Sequence, residues 1–350
     1  MNDTTSFHLP AIESTANGPL EARLRHKIDG KTKPLGALGL LESLALQLGL
    51  VQRSEAPALH QPQMVVFAAD HGIAAEGVSA YPQAVTAQMV GNMLAGGAAV
   101  NVFARQHGFA LQLVDAGVAA ELPAHPGLQA RKIALGTKNS CQEAAMPRHE
   151  AEAALTAGMQ TVAALPGNVV ALGEMGIANT SAAALLLARL TGTRIDEAAG
   201  RGTGLDDVQL RHKQAVLARA LARHPATQPL DAVAELATLG GFEIAMMAGA
   251  MLQAASERRI VLVDGFIAGA SALVAQALVP AVRDYLVFCH HSAETGHGRL
   301  LAHLKARPLL DLDLRLGEGT GALLAWPLVQ SAANFLNDMA SFASAGVSEK

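Results

Sequence analysis

From residue 64 onward, short runs of aliphatic or β-branched residues alternate with long alanine-rich stretches. That alternation predicts βαβ units around a mostly parallel sheet, and so an α/β fold. The apolar runs are Met64–Ala69, Leu111–Val114, Arg131–Leu135, Val169–Leu172, Ile260–Val263 and Tyr285–Cys289. Helical patterns come after them over 181–190, Leu205–His224 and Gly321–Phe342. Residues 1–60 read as helical and amphipathic, broken at Lys31-Thr-Lys-Pro34, and the polar, twice-proline segment Gln52–Gln63 marks a boundary. The last helix is expected to return to the N-terminal helices. That gives a large α/β domain over 61–320 and a small helical domain built from 1–60 plus 321–350.

The residues just after each run are more informative than the run itself. In order the chain supplies Asp70-His71-Gly72, Asp115-Ala-Gly117, Gly136-Thr137, Gly173-Glu174, Asp264-Gly265 and His290-His291-Ser292. Six strands ending this way put ionisable groups and glycines on one sheet edge, where open α/β sheets bind ligands. An aspartate after a strand also serves to cap the next helix, but six coincidences favour an enzyme over a scaffold.

Composition removes several alternatives. The net charge of −4, without a long Lys/Arg run, argues against a nucleic-acid binder. The two cysteines, Cys141 and Cys289, lack zinc or redox spacing and read as buried hydrophobes of a reducing, cytoplasmic protein. The opening MNDTTSFHLP is not patterned as a secretory signal. Phe266–Val282 approaches a membrane span but contains two glycines, Gln276 and Pro280, and is read as a buried helix.

Two glycine turns, Gly200-Arg-Gly-Thr-Gly204 and Gly317-Glu-Gly-Thr-Gly321, each open a helical pattern, an arrangement that suits anion binding at helix N-termini. Arg201 and Lys213 accompany the first, which fits a phosphate monoester. Asn179 and Thr180, at the end of Gly173–Thr180, either cap a helix or hold a phosphate or ribose. Glu174 and Glu318 form a carboxylate pair suited to deprotonating a nucleophile and steadying a developing cation. The cluster His290, His291, Glu294, His297, with Asp70 and His71, tempts a metal reading, but its spacing matches no standard ligand set.

These segments together resemble the nicotinate-nucleotide–dimethylbenzimidazole phosphoribosyltransferase family. The resemblance is carried by Lys33-Pro-Leu-Gly-Ala-Leu-Gly39, Ala69-Asp-His-Gly72 with Glu76–Pro82, Gly173–Thr180, Asp264-Gly-Phe266, His291-Ser292 with Gly296-His297, and Leu314–Gly321. It spans nearly the whole chain in order. Leu35 stands where the family often has a second proline, and Leu40 where it has an arginine.

The resemblance implies a Rossmann-like domain, a homodimer, and transfer of 5-phosphoribose from nicotinate mononucleotide to 5,6-dimethylbenzimidazole in cobalamin assembly, with no cofactor or metal. It makes Glu318 the proton acceptor, with Glu174 orienting substrates or stabilising charge. It places Tyr81, Gln88 and Leu316 at the incoming base, and Gly176, Asn179, Thr180, Gly202, Lys213 and Ser292 at the phosphate. Asp264 joins the substrate-binding set. Two other readings stay open from the residues alone. One is a metal-dependent hydrolase built on Asp70, His71 and the 290–297 histidines, and the other is a non-catalytic nucleotide-binding module.

Overall fold

The computed structural model describes residues 7–202 and 204–348. Six strands, β1 (Gln63–Ala69), β2 (Ala110–Gly117), β3 (Leu128–Ala130), β4 (Val169–Met175), β5 (Ile260–Val263) and β6 (Leu286–Phe288), form one sheet in the order 3-2-1-4-5-6. Every pairing is parallel. This is the doubly wound order, in which the chain reverses direction across the sheet between β1 and β4 and opens a crevice at their carboxyl ends. The near-continuous apolar content of β1, β4 and β5 reflects burial on both faces. Two short strands, β7 (His290–His291) and β8 (Leu310–Asp311), pair beside this sheet.

Helices cover both faces. Arg148–Ala163 and Phe242–Ser256 meet at backbone contact, since a Cβ on Gly158 or Gly249 would collide with the facing carbonyl of Met246 or Leu155. The alanine-rich composition serves this close approach, because small side chains let helices lie near one another. Helix Leu40–Val51 packs against Thr320–Asp338, so the two ends of the chain meet. Trp326 of the latter sits edge-on to Phe109, with ring centroids 5.1 Å apart.

Several expectations shift. The third strand is Leu128–Ala130, and Arg131–Leu135 is loop. Its short edge pairing carries no apolar run to announce it, while Arg131 and Ile133 N–H continue to donate to Asp115 and Ala116 carbonyls. Asp115, Gly117, Gly173 and Glu174 lie inside strands rather than after them. Asp115 is spent on Lys132, 3.0 Å away, and on the N–H of Val118. The N-terminal sixty residues hold two helices, Gly18–Asp29 and Leu40–Val51. Before them the chain from Phe7 is irregular, tied down where the N–H and Oγ1 of Thr15 donate to Asp284. The expected helix from Phe266 stops at Leu278, because Pro280 begins a separate 3₁₀ turn. The long C-terminal helix ends at Asp338 rather than Phe342, where a separate short helix, Phe342–Ala345, begins. Thr203 of the first glycine turn lies outside the described residues, as do 1–6 of the N-terminal segment.

Candidate active site

The carboxyl ends of β4 and β5 and the opening turns of two helices, Asn179–Thr191 and Phe266–Leu278, wall a narrow cleft of about 90 Å³. Of the residues expected at a site, Glu174, Gly176, Asn179, Thr180, Gly202, Asp264, Ser292 and Leu316 all line it. A shallower hollow of about 610 Å³ is larger. It lies at the far end of helix Asn179–Thr191, away from the strand ends, beside Arg189 and Arg194.

The last glycine turn is folded directly onto β4. A Cβ on Gly173 would collide with the backbone of Glu318, and one on Gly317 would collide with Glu174 Oε1. Neither position has room for a side chain, which is why both are glycine. Asp264, at the end of β5, fixes the turn from the other side. Its carboxylate accepts from the N–H of Gly319 at 3.2 Å and of Ala322 at 3.1 Å, and His290 Nε2 lies 3.5 Å away. Glu318 is held at φ +62°, a left-handed conformation that costs a non-glycine residue roughly 1–2 kcal/mol. Ala178, before helix Asn179–Thr191, is held likewise at φ +74°. Strain of this kind collects where surrounding structure dictates a side chain's direction.

The resulting carboxylates are strongly perturbed. Glu174 is 6% exposed and receives one hydrogen bond, from Asn179 Nδ2. Burial, reinforced by the charges of Glu243, Asp264 and Glu318 and opposed by the Asn179 amide, raises its pKa to about 8. Glu318 accepts from the N–H of Val100 at 3.3 Å, in the first turn of helix Ala99–His107. Burial holds it above the ordinary glutamate value, with the Val100 N–H opposing and Asp264 adding. Glu318 is not among the residues that line the cleft, but its neighbours Leu316 and Gly317 are.

A cationic pole stands behind the cleft wall, where Lys213 does not line the cleft but bonds Thr180, which does. Lys213, on helix Asp207–Arg223, is fully buried and donates to Thr180 Oγ1 at 2.8 Å. Burial depresses it to about 8, against the pull of Glu294. Gly202 packs against the same lysine and threonine. Asn179, expected at a phosphate, lines the cleft and donates its amide to Glu174.

Tyr81 and Gln88 are exposed and do not line the cleft. They lie on the segment after β1, which approaches the site where Thr86 Oγ1 accepts from the N–H of Ile177. Three participants were not anticipated from the sequence: His290 as partner of Asp264, Glu243 as a neighbouring buried charge, and the Val100 N–H. Glu243 had a signal, since it is a lone carboxylate in the otherwise apolar opening of helix Phe242–Ser256.

His71 and His297 each make one close polar pairing, while His290 Nδ1 and His297 Nε2 have no hydrogen-bond partner among the described residues. His71 Nε2 lies 2.7 Å from Glu243 Oε1. Burial disfavours the His71 cation, but Glu243 and Asp70 outweigh it and raise the pKa. His297 Nδ1 accepts from the N–H of Ser292 at 2.8 Å, and burial lowers its pKa to about 3. Among the described residues, no group of three or more His, Cys, Asp or Glu side chains is arranged to hold a metal ion.

Against known proteins, a phosphoribosyltransferase family model matches residues 14–347. The nicotinate-nucleotide–dimethylbenzimidazole phosphoribosyltransferase of Cupriavidus taiwanensis is 63% identical over 97% of both chains. The chain belongs to the nicotinate-nucleotide–dimethylbenzimidazole phosphoribosyltransferase family. Another member, from Variovorax paradoxus, is 58% identical over 98% of this chain and 97% of its own. A solved member from Thermus thermophilus superimposes with a TM-score of 0.90 at 46% identity, covering 96% of this chain and 100% of that one.

Proposed function

We propose that the protein transfers 5-phosphoribose from nicotinate mononucleotide to 5,6-dimethylbenzimidazole, giving α-ribazole 5′-phosphate and nicotinate in cobalamin biosynthesis. The observation that carries this reading is the seating of the last glycine turn on β4, which joins two raised carboxylates to a cleft with a lysine pole.

The nicotinate leaves as a pyridine from a pyridinium, so no general acid is needed. One benzimidazole nitrogen bonds to C1′ as the C1′–pyridinium bond breaks, while the other nitrogen gives its proton to Glu318. Attack on the face opposite the leaving group turns the β-nucleotide into an α-riboside. A carboxylate whose pKa sits above the ordinary range is a better proton acceptor once ionised. Glu174, holding a proton up to about pH 8, presents a donor beside the ribose without adding a second negative charge. Lys213, Thr180, Gly176, Gly202 and Ser292, with the free N–H groups of two helix starts, take the phosphate. Leu316, Tyr81 and Gln88 border the base, and Asp264 acts by holding the turn. Fixing two ligands in attack geometry supplies much of the rate.

The small domain would comprise 1–60 with 321–350, against a large one over 61–320. The packing of Leu40–Val51 on Thr320–Asp338 and the Lys31 Nζ to Met339 carbonyl bond of 2.5 Å support that division. The enzyme would work as a cytoplasmic homodimer, with exposed Leu35 as apolar surface for a second copy. Sedimentation equilibrium at micromolar protein should give twice the chain mass, and a single-chain mass contradicts the dimer.

Mixing the protein with both substrates and separating products by chromatography tests the reaction. Equal amounts of nicotinate and α-configured riboside phosphate are expected. Nicotinate with free ribose 5-phosphate instead would mark a hydrolase.

A further inference from the structure

Glu294 is 7% exposed and lines the cleft, yet its Oε2 has no hydrogen-bond partner among the described residues. A buried carboxylate oxygen without a donor is costly, and native structures rarely keep one without reason. Its backbone is firmly placed, since the N–H of Glu294 donates to Ser292 Oγ at 3.3 Å just ahead of helix Thr295–His303.

The first glycine turn is built around this carboxylate. A Cβ on Gly200 would collide with Glu294 Oε2, while one on Gly202 would crowd Thr180 Oγ1 at 3.1 Å and approach Lys213 Nζ at 3.4 Å. One turn therefore seats two opposite charges, Glu294 against its first glycine and Lys213 against its second. Lys213 feels the Glu294 charge, but its hydrogen bond goes to Thr180, and the two side chains form no ion pair. Glu294 keeps bonding capacity for an occupant of the cleft, and Lys213, which does not line it, holds its charge directly behind Thr180, which does.

That occupant suits the site best if it offers an anion to the Lys213–Thr180 pole and hydrogen donors to Glu294 within one small molecule. A phosphate dianion has no donor, a benzimidazole has an N–H but no anion, and nicotinate has an anion but no donor. A phosphorylated sugar with free hydroxyls offers both. We infer that Glu294 reads the ribose hydroxyls of the nucleotide substrate and is a specificity-determining residue separating ribonucleotide from deoxyribonucleotide donors. The inference rests on the phosphoribosyl-transfer reading above and adds to it the sugar that the cleft selects.

The test is a two-by-two comparison of kcat/KM. Wild type and Glu294→Ala are each assayed with nicotinate mononucleotide and its 2′,3′-dideoxy counterpart, with dimethylbenzimidazole as acceptor. Intrinsic donor reactivity cancels in the ratio of ratios. Hydrogen bonds to a charged group imply that the substitution costs about 10- to 100-fold on the ribonucleotide. On the dideoxy donor it should cost less than about 3-fold, within the scatter expected of a lost non-contact. Equal losses on both donors overturn the inference and leave the reaction standing. Absent turnover by the wild type with the ribonucleotide overturns the reaction and the inference with it. If Glu294→Ala does not fold, calorimetric binding of the two donors to the wild type decides: a weaker dideoxy complex supports the assignment, and equal dissociation constants overturn it.

Discussion

A carboxylate buried among three others cannot stay ionised at neutral pH without help, and Glu174 has a single amide to help it. Its proton affinity is therefore a cost to the fold. In the unfolded chain a glutamate ionises near 4.5, and in the folded protein this one ionises at about 8. Between those values the native state holds the proton and the unfolded state does not, so this group makes stability fall as pH rises from about 4.5 to 8. Glu174→Gln, which mimics the protonated form, should remove that slope. Relative to wild type, its urea midpoint should be unchanged near pH 4.5 and higher at pH 8.5. A constant offset at both pH values would show that Glu174 is ionised in the fold. Lys213 contributes the opposite slope in a higher window. It titrates at about 8 when buried and near 10.5 when unfolded, so stability from this group rises with pH between those values.

At the scale of elements, the site depends on one loop lying flat against one strand. Gly173→Ala places a methyl group where the Glu318 carbonyl sits, so the last glycine turn must move. A displacement of about 1 Å costs on the order of 100-fold in turnover, and the strain costs about 1–3 kcal/mol of stability. Steady-state kinetics should show kcat falling with KM for the nucleotide within a few-fold, because the Lys213–Thr180 pole is untouched. A KM effect alone would mean that the turn serves binding rather than chemistry.

The central strands were legible for the same reason that they are central. Double-sided burial makes Met64–Ala69, Val169–Leu172 and Ile260–Val263 apolar without interruption. The edge strand Leu128–Ala130 has no such signature, and the more apolar neighbour Arg131–Leu135 draws the strand pattern to itself. Glu318 and Glu174 could be picked out as a pair, because both stand in glycine-rich stretches of the sequence. That Asn179 would serve Glu174, and that His290 would serve Asp264, depends on which strands are neighbours, which local pattern does not encode.

At the scale of the molecule, the strand order brings these parts together. With β1 and β4 adjacent and the chain diverging on either side, the ends of β4 and β5 and the starts of two helices face one crevice. The turn ahead of helix Thr320–Asp338 then brings Leu316 and Gly317 to that crevice, with Glu318 beside them, from more than 140 residues after Glu174. Among the described residues no helix is long and apolar enough to cross a membrane, and the apolar Phe266–Leu278 is buried within the fold.

The proposed mechanism has Glu318 accept the benzimidazole proton, and single-turnover kinetics of Glu318→Gln against pH test that role most directly. The wild type should lose activity toward acid along a limb centred above the ordinary glutamate value of 4.5. The variant should bind nicotinate mononucleotide normally, turn over about 10²- to 10⁴-fold more slowly, and show no such limb. A variant that keeps both the rate and the acid limb of the wild type would contradict the role of Glu318 as proton acceptor.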